Sequence, residues 1–487
     1  MNGGEEQTPI LARLDRQLPY LYLLFALALT TLLCFLTAPF FGPDESAQSL
    51  RAISLSHGHL IEQMGPKEPG GDMDANVVLV MDGVDDIRMA WEPNASNFHD
   101  RPWGPMRAQP QQRLAAIRWA HRTMWEPFGN TAVYPPLLYL PSIAGWRIAE
   151  SLSLTIFDSM RIARLLCALA SVLLGWLALR LCACSRWILL PFLILPSTLF
   201  LNATASQDAI LLSAAALAAA LLTRPLVAHR DFTPPELALT AALLTLCAMS
   251  RPPYAALGLV LFLPTVELSR PGWRRWLAPT AAFAAVAGLC ALWWHLVSAL
   301  PVDTSDAADP TVQIPFLRAH PFAGALAILR GTAEAALDFV HRGLYVIGWN
   351  DLLPHHGAAA VLAVALVLIL LLAPSCPIRT RLGLGLLALA VVAPLLANSL
   401  AEYIIWTTPG WYTVYGIQPR YWLPVMPFAF LLLQGRLRLP PIPEPLRTRV
   451  LLAATAALVL VACTLPWMTA LAFYTDTVAH VLRLNLP

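Results

Sequence analysis

The chain has 487 residues, of which 57% are hydrophobic and only 13% are charged. Soluble domains carry about 25% charged residues, so this composition excludes an ordinary soluble protein and predicts a membrane protein in contact with lipids. The formal net charge of +2 gives no sign of the strongly basic surface that nucleic acids require, and we expect no nucleic-acid partner.

Apolar runs recur along the chain, and a helix needs about 20 apolar residues to cross a bilayer. A long polar region separates the first run from the others. We therefore predict an all-α polytopic membrane protein, a single domain over 1–487, with about 11 transmembrane helices. The predicted spans are 18–41, 158–182, 187–204, 206–224, 236–250, 252–269, 275–300, 357–373, 381–405, 419–434 and 449–472.

The segment 134–150 is ambiguous, because it is short and contains three prolines. If it does not span, the arginine-rich short loops all face the side of Arg13 and Arg16, which the positive-inside rule places in the cytoplasm. We therefore interpret it as a juxtamembrane or re-entrant helix. The N-terminus is then cytoplasmic, the C-terminus is outside, and the large external loops are 42–157 and 301–356.

Local patterns predict a few further elements in these loops. Juxtamembrane helices are expected at 44–60, 109–127 and 321–340, and the run 76–81 is typical of one short strand. The eight cysteines lie in apolar runs or in predicted cytoplasmic turns. Since disulfides form in oxidising compartments, we expect none here.

The chain leaves the first span with two adjacent acids, Asp44 and Glu45. Pro43 suits the first turn of a helix, and acids at that end suit the helix dipole. Asp44, Gln48 and Arg51 fall at i, i+4 and i+7, so they share one helix face. Two interpretations stay open at this point: a well-started interfacial helix, or a catalytic carboxylate held at the water–lipid boundary.

Ionisable residues are nearly absent from the span interiors and collect at the predicted external ends. Charges near the bilayer midplane mark ion-coupled transporters, so their absence argues against a pump or symporter. Arginine binds phosphate bidentately and stays charged, so this distribution fits chemistry on a lipid-linked anion at the membrane surface. The residues concerned are Asp44, Glu45, Arg51, Arg161, Arg164, Asp208, Arg251, Asp338, Arg342, Asp351, Glu402 and Arg420.

Seven stretches occur in an order that is typical of one family. They are PDESAQSLRAISLSHGHL at 43–60, YPPLLYLPSIAGW at 134–146, ARLLCALAS at 163–171, LPSTLFLNATASQDAIL at 195–211, SRPPYAALGLVLFL at 250–263, RGLYVIGWNDLLP at 342–354 and GIQPRYWLPVMP at 416–427. The chain thereby resembles a bacterial integral-membrane family known as domain of unknown function 2142. That family is grouped with the GT-C glycosyltransferases, which use polyprenyl-phosphate-linked sugars. Gln48 and Pro419 depart from it, since members tend to have histidine and glycine there.

The resemblance implies roles for three acids. Asp44 matches the acid that activates the acceptor hydroxyl as a general base, and Glu45 would assist it or bind the acceptor. Asp208 matches the second acid of many GT-C folds, where it would bind the acceptor or hold a divalent cation together with Asp44. The alternative for each acid is a structural role in the first turn of a helix.

Arginines at the external edge are candidates for the donor phosphate, namely Arg251, Arg342 and Arg420. Fixed positive charge there would stabilise the departing phosphate, whereas the alternative is arginine that reaches towards lipid headgroups. The remaining substrate-binding candidates are Gln48, Arg51, Tyr134, Trp349, Asn350 and Asp351. Four aromatic residues could also contact a sugar, although an interfacial aromatic belt is the alternative; they are Trp406, Trp411, Tyr412 and Tyr415.

Together these features predict a GT-C-like, inverting membrane glycosyltransferase. It would transfer a sugar from a polyprenyl-phosphate-sugar donor to a cell-envelope glycan or lipid acceptor outside the bacterial inner membrane. No cofactor is expected to be obligatory, with a divalent cation as an option. One alternative is a flippase or non-enzymatic component of polysaccharide export. Another is an enzyme that moves a whole glycan from a pyrophosphate carrier with a metal at Asp44 and Asp208.

Overall fold

A computed structural model describes residues 9–89, 113–269, 271–301, 303–305, 307–345, 347–348, 356–374, 376, 378–434 and 442–474. Most of these residues are helical. In chain order the elements are α1 (Pro9–Leu36), α2 (Glu45–Ser56), β1 (Gln63–Met64), β2 (Pro69–Asp74), α3 (Ala75–Met89), β3 (Thr123–Pro127), α4 (Gly129–Ala132), α5 (Leu140–Ser151), α6 (Ile156–Leu181), α7 (Leu190–Leu193), α8 (Pro196–Asn202), α9 (Gln207–Val227), α10 (Pro234–Ser250), α11 (Leu263–Leu268), α12 (Leu277–Leu296), α13 (Pro310–Ala319), α14 (Pro321–Asp338), α15 (His356–Leu372), α16 (Arg381–Ile405), α17 (Met426–Leu433) and α18 (Glu444–Tyr474).

Among the described residues, six helices are long and apolar enough to cross a membrane. They are Arg13–Leu36, Ile156–Leu181, Gln207–Val227, Trp273–Leu296, Arg381–Ile405 and Glu444–Ala470, and each coincides with a predicted span. Helices α13 and α14 meet at a bend of 113° and would add a seventh span if they crossed together. An all-α membrane protein is thus confirmed, whereas the count of about 11 spans is not confirmed and stays a prediction.

The other predicted spans fall on shorter or broken helices. Helix α10 and α15 each have 17 residues, and the run 252–269 forms a 3-10 helix, Pro252–Phe262, that continues into α11. The run 187–204 is divided between α7 and α8, each of which has proline in its first turn. Proline lacks an amide hydrogen and fits best at a helix start, so it restarts the chain as a new helix there.

In the first large loop, 42–157, the structure differs from two sequence predictions. The run 76–81 is part of helix α3 and not a strand, because Val77, Val80 and Val84 are buried at helical spacing. The Asp74 carboxylate also accepts the Asn76 amide at 2.9 Å and so caps that helix. Within 109–127, of which 113–127 are described, the last residues form strand β3, which pairs antiparallel with β2 while β1 pairs on its other side.

The cysteine prediction was also wrong. Cys184 and Cys376 are joined by a disulfide, although 192 residues separate them in sequence. Their Cα atoms lie 5.5 Å apart, which is within the usual range for a bridged pair. Six cysteines of the described chain are free, and five of these are buried.

Residues 134–150 do not form a span, as predicted. A 3-10 turn, Pro136–Tyr139, leads into α5, which has 12 residues. At 1.5 Å per residue α5 is ~18 Å long, which is too short for the ~30 Å hydrocarbon core. Helix α5 packs on α6 at Gly145, where a Cβ atom would lie only 2.4 Å from the Ala163 Cα.

This contact predicts the effect of Gly145→Ala. Overpacking a close contact typically costs about 1–3 kcal/mol, so we expect the melting temperature of the detergent-purified protein to fall. Gly288→Ala in α12 is the matched control, because a Cβ there meets nothing within 4 Å and alanine favours a helix more than glycine does. Equal melting temperatures for the two variants would contradict the close approach of α5 and α6.

Candidate functional site

Four charged residues from distant parts of the chain meet at one end of the helices, and we call them the ion cluster: Asp44, Asp208, Arg251 and Arg420. One Arg420 nitrogen (Nη2) forms an ion pair with the Asp44 carboxylate. Its other terminal nitrogen lies 3.1 Å from Asp208 Oδ2, and Arg251 Nη1 lies 3.6 Å from Asp208 Oδ1. Two acids and two arginines therefore balance each other in a buried setting, as their positions in the sequence predicted.

The four side chains of the ion cluster differ in their exposure to solvent. The side chains of Asp208 and Arg420 are each 3% exposed and that of Arg251 is 11% exposed, whereas Asp44 is 19% exposed. Asp44 is thus the member that meets solvent most directly. A group that exchanges protons with an incoming molecule has to be reachable in this way.

The local geometry of Asp44 differs from that of a helix-capping residue. Asp44 does stand at the N-terminal end of α2, but its side chain makes no capping hydrogen bond. Its backbone is left-handed, with φ 52° and ψ 20°, a conformation that aspartate and asparagine tolerate better than most residues. The carboxylate is directed at Arg420, and Arg420 also donates to the Pro43 carbonyl at 3.1 Å.

Glu45 has a different environment from Asp44 and does not reach a substrate in this conformation. It is fully buried and forms an ion pair with Arg164 at 2.5 Å. Its oxygens also accept the amides of Gly42 and Ala205, each at 2.8 Å. Arg164 in turn donates to two backbone carbonyls at the end of the first span, those of Thr37 and Ala38. These contacts make Glu45 a residue that positions the Asp44 loop, which revises its predicted catalytic role.

Arg51 and Gln48 are likewise enclosed, which revises their predicted contact with substrate. Arg51 is fully buried, pairs with Glu62 and donates to the Tyr134 carbonyl at 2.8 Å. Burial raises the pKa of Glu62, and Arg51 opposes that shift. Gln48 Oε1 accepts a hydrogen bond from the Tyr139 hydroxyl and lies 3.4 Å from the backbone amide nitrogen of Gln207. Arg51 thus positions Tyr134, and Gln48 contacts the first turn of α9.

Tyr134 is close enough to the ion cluster for its four charged groups to act on the phenol, and its contact with substrate stays a prediction. Burial raises the pKa of its phenol, while Arg251 and Arg420 act in the opposite direction. The phenol therefore stays protonated at neutral pH, since the unperturbed value is already about 10. A neutral hydroxyl can donate a hydrogen bond as well as accept one.

Two further residues belong to this site and were not assigned to it from sequence. Glu402, at the end of α16, is 8% exposed and acts electrostatically on Arg251, Arg420 and Asp44. The Tyr421 ring lies under the Arg251 guanidinium, with 4.1 Å between its centroid and Cζ. In the sequence, Glu402 is one of the charged residues at the span ends. The contact between Arg251 and Tyr421 depends on the turn that follows Pro419, which the sequence does not reveal.

Several buried polar atoms around the cluster have no hydrogen-bond partner among the described residues. They include Arg420 Nε, Glu402 Oε2 and both side-chain polar atoms of Gln207. Buried polar groups are nearly always satisfied in proteins, so these atoms are free to bind a ligand or water. A cavity of about 10 Å³, which has room for about one water molecule, borders Arg420; its lining is Pro43, Ser197, Phe200, Leu201, Gly343, Pro419, Arg420 and Leu423.

The other predicted site residues do not join the cluster. Arg342 is 48% exposed and pairs with Asp338 one helical turn away, so its side chain is engaged elsewhere. Trp349, Asn350 and Asp351 lie outside the described residues. Within the part of the chain that the structure describes, no group of three or more His, Cys, Asp or Glu residues could hold a metal ion.

Fold and site define a helical membrane protein with a buried ion cluster at the ends of its helices. The chain belongs to the family described as "Predicted membrane protein (DUF2142)", whose model matches residues 27–429. The resemblance to this family of unknown function is thereby confirmed, and the matched region includes the whole ion cluster. No curated protein and no solved structure matches the chain.

The Glu45–Arg164 pair predicts a large effect of Arg164→Met on stability. Removal of one partner leaves a fully buried carboxylate unpaired, which costs about 3–5 kcal/mol. Arg161→Met is the matched control on the same helix, because its pair with Asp158 is partly exposed and such pairs contribute under ~1 kcal/mol. Unfolding of both variants in detergent, followed by circular dichroism, measures the difference. A similar loss in both variants would contradict the structural role of Glu45.

Proposed function

We propose that this protein is a GT-C-like membrane glycosyltransferase that uses a polyprenyl-phosphate-sugar donor. The observation that carries the proposal is the meeting of a partly exposed carboxylate, Asp44, with the buried guanidinium groups of Arg251 and Arg420. Transfer from a lipid phosphate needs these two functions side by side. One group removes a proton from the acceptor, and fixed positive charge receives the leaving phosphate.

In the proposed reaction Asp44 is the general base. The acceptor hydroxyl loses its proton to the carboxylate while its oxygen attacks the anomeric carbon of the donor sugar. The bond from that carbon to the phosphate oxygen breaks, and polyprenyl phosphate departs with the bonding electrons. Because attack and departure occur on opposite faces, the configuration inverts. Asp208 orients Arg420 and Arg251, and Tyr134 is available to donate to the sugar or phosphate.

Arg251 and Arg420 would bind the donor phosphate. Arg420 pairs with Asp44 and Asp208 through its terminal nitrogens and retains a buried Nε without a hydrogen-bond partner among the described residues. Arg251 Nη1 lies 3.6 Å from Asp208 Oδ1, which is an ion pair without a hydrogen bond. Charge-assisted hydrogen bonds to phosphate are about twice as strong as neutral ones. Preorganised guanidinium groups in a buried site therefore stabilise negative charge as it develops on the leaving group.

The proposed setting is the bacterial cytoplasmic membrane, with the N-terminus in the cytoplasm and the ion cluster on the external face. It also keeps the prediction of about 11 spans, with α10, α15 and the broken segments as the shorter crossings. The arginine-rich short loops support this orientation, since positive residues favour the cytoplasmic side. The acceptor would be a cell-envelope glycan or lipid.

The proposed base predicts that Asp44→Asn abolishes transfer while the protein still folds. General-base catalysis contributes about 10²–10⁴-fold, so we expect the rate of polyprenyl phosphate release from labelled donor to fall at least about 100-fold. Asparagine keeps the size of the side chain and tolerates the left-handed backbone of residue 44. Asp72→Asn, at an exposed position of strand β2, is the control. Full turnover by the Asp44 variant would remove the proposed base.

The phosphate site predicts the effect of Arg251→Lys. Lysine keeps the charge but loses the planar fork that binds phosphate bidentately. Hydrogen bonds to charged groups are worth about 1.5–3 kcal/mol, so kcat/KM for the donor should fall about 10- to 100-fold. Arg161→Lys is the matched control, and an unchanged donor kcat/KM in Arg251→Lys would exclude this residue from the phosphate site.

Treatment with a chelator separates this proposal from transfer of a whole glycan from a pyrophosphate carrier. A pyrophosphate leaving group has more charge to neutralise, and a divalent cation would supply it. The proposed monophosphate reaction should keep its rate in EDTA, because the arginines provide the positive charge. Loss of activity in EDTA and recovery with Mg²⁺ or Mn²⁺ would favour the pyrophosphate reaction.

A further inference from the structure

Four aromatic side chains lie exposed on the segment that connects α16 to the ion cluster, and we call them the aromatic platform: Trp406, Trp411, Tyr412 and Tyr415. Tyr412 and Tyr415 are 55% and 51% exposed, and both tryptophans are 39% exposed. The Trp411 ring centroid lies 5.1 Å from that of Tyr412 and 6.2 Å from that of Tyr415. Three of the rings therefore form one continuous surface.

Polar contacts from α14 hold this surface in place. The Arg330 guanidinium lies over the Tyr412 ring, with 4.6 Å between Cζ and the centroid. Arg330 also pairs with Glu334 at 2.8 Å, and Glu334 accepts the Thr413 hydroxyl at 2.6 Å. The Trp411 carbonyl accepts the Tyr403 hydroxyl at 2.7 Å. These contacts hold the backbone that carries the rings, and they place Arg330 and Glu334 next to the platform.

The platform is continuous with the ion cluster. A Cβ atom at Gly416 would lie 2.8 Å from Glu402 Oε2 and 2.7 Å from the Trp406 Cβ. Glu402 acts electrostatically on Arg251, Arg420 and Asp44. Gly416 has φ +89°, which turns the chain from the platform towards Pro419 and Arg420. The chain thus leads from the platform to Arg420, which pairs with Asp44.

We propose that the aromatic platform binds the acceptor and that the acceptor is a glycan chain. This inference rests on the proposed function and adds the chemical class of its second substrate. The C–H faces of sugar rings are apolar and pack flat on aromatic rings, while their hydroxyls need polar partners nearby. Trp411, Tyr412 and Tyr415 provide the flat surface, and Arg330 and Glu334 provide the polar edge.

An aromatic belt at the bilayer interface is the competing explanation for the same rings. The apolar stripe of α14 gives a reason to prefer the glycan. Phe322, Leu326 and Leu337 are 90%, 67% and 67% exposed and share one helix face. The backbone of the platform segment packs on the opposite, small-residue side of α14, where Gly331 contacts Val414. Arg330, which lies over Tyr412, stands one turn from Leu326 at the border of the apolar stripe.

Fluorescence quenching distinguishes a glycan surface from a lipid anchor. The contribution of Trp411 is the difference between the wild-type protein and Trp411→Phe, both in nanodiscs. We expect aqueous iodide to quench this contribution, brominated phosphatidylcholine to leave it unchanged, and bound oligosaccharide to protect it. Trp273→Phe is the matched control, because Trp273 is 69% exposed and lies outside the platform. Quenching of Trp411 by brominated lipid would overturn the proposal.

Binding provides the second measurement, with a panel of soluble neutral oligosaccharides built from hexose, deoxyhexose and pentose units. Loss of one stacked ring costs about 0.5–1.5 kcal/mol, so Trp411→Ala should weaken the best binder up to about tenfold. Asp72→Asn, at the exposed position of strand β2, should bind it as the wild-type protein does. No binding by any member of the panel, or equal binding by Trp411→Ala, would overturn the platform.

These outcomes are distinguishable from a failure of the proposed function. If Asp44→Asn keeps transfer activity while Trp411→Ala loses glycan binding, the glycan surface stands and the catalytic base fails. If Asp44→Asn is inactive while Trp411→Ala keeps both binding and the acceptor KM, the enzyme stands and its acceptor binds elsewhere. The combined proposal expects a raised acceptor KM and an unchanged kcat in Trp411→Ala.

Discussion

The organisation of the site depends on the contacts that the Arg420 guanidinium makes. It pairs with Asp44 and Asp208, which lie 376 and 212 residues away in sequence, and it also donates a hydrogen bond to the Pro43 carbonyl. Removing a charge from water costs several kcal/mol even after relaxation, so none of these groups is stable there alone. Their mutual neutralisation fixes the start of α2, the start of α9 and the turn at Pro419 in one place.

Two kinds of ion pair surround that contact, and their burial separates their roles. The Glu45–Arg164 and Arg51–Glu62 pairs are almost completely enclosed and hold backbone carbonyls and amides of the neighbouring loops. Asp44 shares its loop with Glu45 but retains access to solvent. The adjacent acids therefore have different environments. Glu45 is satisfied by contacts within the protein, whereas Asp44 keeps access to solvent.

The segment that follows α16 carries the exposed aromatic platform and leads to Arg420 of the buried ion cluster. Glu402 and Gly416 lie between the platform and the cluster. Helix α14 packs on this segment with one side and exposes leucines and Phe322 on the other. In the proposed reaction, a lipid-linked donor would approach through the bilayer and a glycan acceptor would approach from water.

The sequence by itself determined the class of protein and identified the four residues of the ion cluster as charges at span ends. Length of apolar runs predicted the six long helices, and charges restricted to span ends predicted that Asp44, Asp208, Arg251 and Arg420 would matter, because buried charge is too costly to occur without a partner. The tertiary structure decided what depends on distant contacts. It paired Glu45 with Arg164 and β3 with β2, brought Cys184 to Cys376, and placed Glu402 beside the cluster. No local pattern specifies such partners, since each is chosen by packing between segments far apart in the chain.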